Sequence, residues 1–221
     1  MFIINLLQRA NGNIYAIVLA TAPIIGLLIG ITIHEFAHAW MANRLGDPTA
    51  KNMGRLTLNP FKHLDPTGTI FLLVAGFGWG KPVPYNPSNL KSDADELKVA
   101  FSGVVTNLFF ALILGIPLRI ATLQGVTFDS SFVLMYIKWI VEMNIVLVAF
   151  NILPIPPLDG SKLILQSLDI RRRLEYEKIG IVILFALIIS GFFGFPILQY
   201  YMEIVVRYLG FIVTGIYTSI F

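Results

Sequence analysis

Long apolar runs separated by short polar segments dominate the chain. Residues 10–33 contain no charged side chain, and residues 99–118 form a second uncharged run. A third run is interrupted by Lys138 and Glu142. A hydrocarbon core about 30 Å thick needs about 20 apolar residues in a helix, so each run is long enough to cross a bilayer. The predicted spans cover residues 14–44, 97–121 and 131–153.

The C-terminal part is also apolar but is broken at residues 191–196, which hold two glycines and a proline. Because glycine and proline interrupt helices, two spans are predicted, at about residues 176–193 and 196–219. The expected fold is an all-α bundle of about five transmembrane helices that forms one domain, residues 1–221. The chain is 56% hydrophobic and 13% charged, whereas soluble domains carry about 25% charged residues. We therefore expect an integral membrane protein in contact with lipid.

Basic residues are concentrated in two segments between the predicted spans. Residues 44–98 hold seven lysines and arginines, and residues 162–178 hold five. Positively charged loops tend to stay in the cytoplasm, so both segments are expected there. The N-terminus is then expected outside and, with five spans, the C-terminus inside. Because no basic stripe interleaved with aromatic residues is present, nucleic-acid binding is not expected.

The segment after the first span combines apolar residues 69–75 with a stretch rich in glycine and proline, residues 76–87. The apolar part is too short to cross a membrane. We predict an irregular or short β-hairpin re-entrant loop, which is tolerated at membrane depth when protein covers it or when it lines a wet cavity. Residues 76–87 are expected either to pair with an extended substrate segment or to form a plug at the membrane surface.

Residues 34–38 read His-Glu-Phe-Ala-His, an H-E-x-x-H motif at the end of the first span. Residues four apart lie on one face of a helix, so His34 and His38 are able to bind one zinc ion. Glu35 points away from that face and is suited to act as a general base. Ionisable side chains in a span are costly and are usually functional.

A catalytic zinc ion needs a third protein ligand, and the absence of cysteine leaves histidine or a carboxylate. Asp159 follows a segment with three prolines at the end of the third span. Because proline breaks helices, this segment is able to direct the carboxylate into the bundle. A helix N-cap in a cytoplasmic turn is an equally good interpretation of Asp159. His63 is a further candidate ligand.

Two motifs together resemble the site-2 protease family of intramembrane metalloproteases. They are the H-E-x-x-H motif in the first span and Asn-x-x-Pro-x-Pro-x-Leu-Asp-Gly at residues 151–160. Residues 59–69 and 78–87 are similar to the loop of the short prokaryotic members, and Gly103 with Asn107 resembles the family's Gly-Pro-x-x-Asn pattern, with valine in place of the proline. The chain has no room for the PDZ or CBS domains of some relatives.

The resemblance implies a zinc metalloendopeptidase that holds one Zn²⁺ ion per chain and cleaves membrane-spanning or membrane-anchored substrates with zinc-activated water. It assigns His34, His38 and Asp159 as ligands, in a segment over residues 151–168, and Glu35 as the base. Asn107 and Asn151 are candidates for contacts to the substrate or its oxyanion, and His63 is expected to be structural. A prokaryotic cell membrane, with the active site toward the cytoplasm, fits such a protein.

Two other interpretations of these residues remain at this point. A membrane metal transporter or sensor would use the same ligands, because ionisable residues in spans also mark ion pathways. A different membrane zinc protease would use a glutamate as the third ligand, and Glu142 and Glu203 are the candidates. The sequence does not determine the substrate, the gating or the oligomeric state.

Overall fold

The computed structural model describes residues 14–75, 78–128 and 131–216. All regular structure in these ranges is helical apart from one isolated β-bridge. The helices, in chain order, are α1 Ile14–Arg44, α2 Thr49–Asn52, α3 Pro66–Ala75, α4 Asp93–Leu123, α5 Phe132–Asn151, α6 Lys162–Leu165, α7 Ile170–Ser190 and α8 Ile197–Thr214. Short 3-10 turns lie at Pro60–Lys62, Pro87–Asn89, Asp159–Ser161 and Gly191–Phe193.

Five of these helices, α1, α4, α5, α7 and α8, are long and apolar enough to cross a membrane. The prediction of an all-α membrane protein with about five such helices is therefore confirmed. The helix bounds differ from those of the predicted spans where a helix begins in a polar segment. Helix α4 starts at Asp93 because Ser92 caps it by accepting a hydrogen bond from the Asp95 amide, and α7 starts at Ile170 because Asp169 caps it in the same way. Hydropathy alone does not detect these capped polar turns.

Helices α1, α4 and α5 form the centre of the bundle. Glycines on α1 allow a close approach to α5: a Cβ atom at Gly26 would lie 2.9 Å from the Trp139 carbonyl oxygen, and one at Gly30 would lie 2.6 Å from Leu147. Small residues at such spacing are common where membrane helices pack together. This packing fixes the end of α1 that carries the histidine motif against the other two helices.

Helix α8 covers the opposite side of α4 and α5 and runs parallel to α4. At its start, the Tyr201 hydroxyl donates to the Ala149 carbonyl near the end of α5. At its end, the Thr214 carbonyl accepts a hydrogen bond from Thr122, near the end of α4. The described end of α8 therefore lies at the end of the bundle opposite the histidine motif. The expected position of the C-terminus falls on residues 217–221, which lie outside the described residues.

Helix α7 is attached to the bundle near the motif end at both of its own ends. The Tyr176 hydroxyl donates to the Pro154 carbonyl, and the packing of Gly180 against Pro156 leaves no room for a Cβ atom. Past the other end of α7, Gly191 lies against Gln199 in the first turn of α8. Most of the apolar surface of α7 between these contacts is exposed.

The predicted β-hairpin is not found in the described part of the loop that follows α1; residues 76 and 77 lie outside that part. Residues 66–75 form α3, so the apolar residues 69–75 belong to a helix and not to an irregular or β-hairpin segment. The Asp65 carboxylate accepts a hydrogen bond from the Gly68 amide and so starts this helix. The one bridge in this region joins Leu64 to Gly80.

Candidate metal centre

Helix α1 brings the two histidines of the motif into contact. The Nε2 atoms of His34 and His38 lie 3.0 Å apart, and the rings are nearly perpendicular, with centroids 4.5 Å apart. His34 is buried and His38 is mostly buried. The uninterrupted helix across residues 34–38 produces this arrangement, because side chains four positions apart lie one above the other.

Asp159 reaches the two rings from the segment that follows α5. Its Oδ2 atom lies 3.1 Å from Nε2 of His34 and 3.4 Å from Nε2 of His38. The helix breaks at the prolines, and a 3-10 turn beginning at Asp159 aims the carboxylate inward. Helix α6, which follows, has no side-chain cap. Asp159 therefore does not cap this helix, in contrast to the N-cap interpretation.

The three donor atoms fit a divalent cation. The ligand atoms of His34, His38 and Asp159 all lie within 4.8 Å of one another. The Nδ1 atom of His38 lies 2.8 Å from the Val99 carbonyl oxygen, so in the neutral ring the proton lies on Nδ1 and Nε2 presents a lone pair to the cluster. Oδ2 of Asp159 is buried without a hydrogen-bond donor. Zinc binds histidine nitrogen and carboxylate oxygen atoms of this kind when they meet at one buried point.

The electrostatic surroundings keep Asp159 ionised. Burial raises the pKa of this carboxyl, but the charge and hydrogen bonds of the His38 and His34 rings in their protonated form outweigh burial and hold the pKa well below its ordinary value. A metal ligand must be deprotonated, and this environment favours the deprotonated form.

Glu35 does not join the cluster but turns toward the loop that follows α3. Its Oε2 atom accepts a hydrogen bond of 2.7 Å from the Val83 amide. The helical position next to His34 keeps the carboxylate adjacent to the ligands, on a neighbouring face of α1. This is the placement expected of a base that acts beside a metal ion and does not bind it.

Gly103 on α4 makes the close approach of that helix to the histidines possible. A Cβ atom at this position would lie 2.6 Å from Cε1 of His34 and 2.7 Å from Nε2 of His38. The sequence motif drew attention to Gly103, but a sequence does not show which side chains a glycine faces. The carbonyl of Val99 and the amide of Val83 were not predicted, because backbone groups leave no sequence signal.

The two asparagines differ in their surroundings. Asn107 is fully buried one turn beyond Gly103, and neither polar atom of its side chain has a hydrogen-bond partner among the described residues. The side-chain amide of Asn151 donates to the Leu147 carbonyl within α5. The amide of Asn151 is therefore partly committed to its own helix, whereas that of Asn107 is not.

The remaining candidate ligands lie apart from this group. His63 is fully buried, and its Nε2 atom is 2.7 Å from the Thr57 carbonyl oxygen, which fits a structural role. Glu142 is buried within α5 beside Lys138, and Glu203 lies on α8. In the part of the chain that the structure describes, neither glutamate belongs to a group of three potential ligands.

Comparison with known proteins finds a family model and several relatives. The profile of Peptidase family M50 matches residues 114–191. The curated protein “Putative zinc metalloprotease YwhC” of Bacillus subtilis (strain 168) is 39% identical over 184 residues, which are 80% of this chain and 84% of YwhC. No solved structure matches the chain.

Two mycobacterial proteins that carry the description “Putative zinc metalloprotease Rip2” are more distant. The Mycolicibacterium smegmatis protein is 32% identical over 62% of this chain and 53% of its own length. The Mycobacterium tuberculosis (strain H37Rv) protein is 27% identical over 68% of this chain and 57% of its own length. The match to YwhC extends over most of both chains, and the chain therefore belongs to peptidase family M50, the site-2 proteases, as a zinc metalloprotease of that family.

Proposed function

We propose that this protein is an intramembrane endopeptidase that hydrolyses peptide bonds of membrane-spanning or membrane-anchored substrates. One observation carries the proposal: Asp159 meets His34 and His38 at the end of an apolar helix, with Glu35 beside them. His38 precedes Arg44 by six residues, which corresponds to about 9 Å along a helix. The cluster is therefore expected slightly inside one membrane boundary.

In this proposal, His34, His38 and Asp159 hold one zinc ion per chain. When bound, zinc polarises the scissile carbonyl and lowers the pKa of a water molecule to about 7. Glu35 accepts the proton from the attacking water and then donates it to the leaving nitrogen, the ordinary cycle of a general base and acid. The Nδ1–H group of His38 donates to the Val99 carbonyl, which orients the ring so that Nε2 faces the other two ligands.

Asn107 and Asn151 are proposed contacts to the substrate or its oxyanion. Asn107 has the stronger support, because an unpaired buried amide is costly and a substrate carbonyl would satisfy its donor. Asn151 has one amide hydrogen left after its bond to Leu147. The double substitution of both residues to alanine is expected to lower kcat more than either single substitution.

A substrate must expose its backbone to be cut. A helix conceals its carbonyls in hydrogen bonds between residues four apart, so a substrate span must unwind or present an extended segment. The reaction also needs water, which the cluster is able to receive from the nearer membrane surface. The basic loops on that side favour the cytoplasm, and we place the active site there, in a prokaryotic cell membrane and within one protease domain.

Metal transport has less support than hydrolysis. An ion pathway would need several acidic or histidine side chains on facing helices. Among the described residues of the spans, the buried acids away from the cluster are Asp95 and Glu142, and each has a lysine within 4 Å, Lys98 at 2.7 Å and Lys138 at 3.9 Å. Zinc flux in proteoliposomes that persists in a Glu35→Gln variant would favour transport.

The proposal is tested with purified wild-type protein and Glu35→Gln in detergent. The substrate is a quenched fluorescent peptide that contains an apolar segment of about 20 residues with a central glycine. Glu35→Gln is expected to retain zinc and to lose at least about 100-fold in kcat, because general base catalysis contributes about 10²–10⁴-fold. Cleavage by Glu35→Gln at the wild-type rate would refute the assignment of the base.

A further inference from the structure

A single peptide unit lies between a buried guanidinium group and Glu35. Arg55 is 6% exposed. Its two terminal nitrogens donate to consecutive carbonyls, NH2 to Lys81 at 2.7 Å and NH1 to Pro82 at 3.3 Å. The amide of the same Pro82–Val83 peptide donates to Oε2 of Glu35 at 2.7 Å. Arg55 and Glu35 are therefore connected through the two ends of one peptide group.

This peptide is held rigidly. A peptide group is planar, so fixing its carbonyl also fixes the direction of its N–H bond. Pro82 and Pro84 restrict the backbone on both sides of Val83. The side chain of Val83 is buried in a small cluster with Ala39 and Ala50, which anchors the segment to α1.

Burial of Arg55 needs an explanation, because an unpaired buried charge is costly. No carboxylate among the described residues lies within ion-pair distance of its guanidinium group. The charge acts electrostatically, because it polarises the Pro82–Val83 peptide. Hydrogen bonds arranged in a chain strengthen one another in a low-dielectric interior. The negative group at the other end of this chain is the Glu35 carboxylate.

We propose that Arg55 is a positioning residue for the catalytic base, acting through the Val83 amide. The proposal rests on the assignment of Glu35 made above. Arg55 orients the peptide, and the peptide holds Oε2 of Glu35 in place. The second oxygen, Oε1, then faces the attacking water and receives its proton. Arg55 itself contacts neither the substrate nor the ligands.

The planar guanidinium is suited to this role. Its donors form a fixed fork that holds two consecutive carbonyls in one relative orientation. A lysine would supply the charge but only one point of contact. Arg55→Lys is therefore expected to retain part of the effect, and Arg55→Gln to remove it.

The kinetic test is a double-mutant cycle between Arg55→Gln and Val83→Pro. Val83→Pro deletes the amide donor in a segment whose neighbours are already prolines. Each single variant is expected to lower kcat by about 10–100-fold, the effect typical of residues that orient a metal site, with a small change in KM. Because both act through one peptide, the double variant is expected to match the slower single variant. Effects that multiply would overturn the proposal.

A second readout does not depend on turnover. A fragment spanning residues 81–87 contains few exchangeable amides, because three of its residues are prolines. Hydrogen exchange at the Val83 amide is expected to be slow in the wild type and at least about tenfold faster in both Arg55→Gln and Glu35→Ala, because each loses one end of the chain. Unchanged protection in Arg55→Gln would overturn the proposal.

A variant at the opposite end of the bundle serves as the control. Arg119 also donates to consecutive carbonyls, those of Phe211 and Ile212, at the opposite end of the bundle. Arg119→Gln is expected to leave kcat unchanged. A fall in kcat in Arg119→Gln equal to that in Arg55→Gln would show a general loss of stability and would overturn the positioning role.

Failure of this inference is distinguishable from failure of the proposed function. If Glu35→Gln is inactive while Arg55→Gln and Val83→Pro have wild-type kcat, the base assignment stands and the role of Arg55 is refuted. If Arg55→Gln does not fold, judged by zinc content and thermal unfolding, the same cycle is run with Arg55→Lys. Wild-type kcat in Arg55→Lys combined with a normal rate in Val83→Pro would also refute it.

Discussion

At the scale of single residues, the position of Asp159 has the largest consequence. Its Oδ2 atom faces both imidazoles and has no other donor. Two histidines four residues apart bind zinc weakly without a third ligand, because zinc prefers four-coordinate sites with at least three protein ligands. The carboxylate therefore determines whether the motif binds the metal tightly.

We predict that Asp159→Ala loses zinc. Removal of groups that only orient a ligand costs about 10–100-fold in metal affinity, so loss of a ligand is expected to exceed about 100-fold. The measurement is metal analysis of purified protein, with competition against a chelator. Asp169→Ala is the control, because Asp169 caps α7 and lies outside the cluster. Zinc retained in Asp159→Ala but lost in Glu142→Ala would support a glutamate ligand.

Gly103 provides a second test at this scale. An added methyl group would lie less than 3 Å from atoms of both histidines, so α4 must move away or the rings must turn. Gly103→Ala is expected to lower zinc affinity by at least about tenfold, measured by chelator competition. Val105→Ala changes an exposed residue of the same helix and is expected to have no effect. Normal zinc affinity in Gly103→Ala would contradict the observed packing.

At the scale of elements, Asp47 ties the turn after α1 to the loop that reaches Glu35. Its buried carboxylate accepts hydrogen bonds from Thr49, from the Asn86 amide at 2.7 Å and from the Asn89 side chain at 2.7 Å. Burial raises the pKa of Asp47, but these donors outweigh burial and hold the pKa below its ordinary value. The segment that positions the Val83 amide is therefore anchored at both of its ends, by Arg55 and by Asp47.

This anchoring predicts a dependence of stability on pH. Because the folded pKa of Asp47 lies below the unfolded value of about 3.9, its contribution is fully present above that value and is lost as the pH falls through the folded pKa. Asp47→Asn is expected to lower stability near neutral pH by about 1–3 kcal/mol. The difference between the two proteins should shrink in acid. Thermal unfolding in detergent micelles between about pH 7 and about pH 3 measures it, and a constant difference would contradict the prediction.

The elements were predicted unequally well from sequence. The apolar runs located α1, α4 and α5, because lipid-facing and buried surfaces of a membrane helix are both apolar. The apolar residues 69–75 were assigned to an irregular or β-hairpin loop, but they belong to a helix that begins at Pro66, directly after Asp65. Glycine and aromatic residues are compatible with either structure, and the packing of Gly68 against Trp79 is a contact that propensity does not include.

At the scale of the whole molecule, the directions of the helices determine which ends meet. The end of α8 contacts the end of α4, and the start of α8 contacts the end of α5. The described end of α8 and the end of α4 therefore share one end of the bundle, and the metal cluster lies toward the other end.

This arrangement predicts a pattern of surface labelling. The chain has no cysteine, so single cysteines are unambiguous reporters. Gln124→Cys and Ile216→Cys are expected to react together with a membrane-impermeant maleimide on one face, and Ser167→Cys only on the opposite face. Labelling of intact cells and of inverted vesicles, read by a mass shift, provides the measurement. Labelling of Ile216→Cys together with Ser167→Cys would contradict the observed direction of α8.

By itself, the sequence determined that the chain belongs in a lipid bilayer, where its spans approximately lie and which residues are able to bind a metal. These properties follow from composition, from hydrophobic length and from the spacing of His34 and His38, all of which are local along the chain. Tertiary structure alone decided that Asp159, 121 positions after His38, meets the two rings, and that Arg55 and Val83 reach Glu35. These contacts depend on long-range packing and on backbone groups, and the residue types of a local segment predict neither.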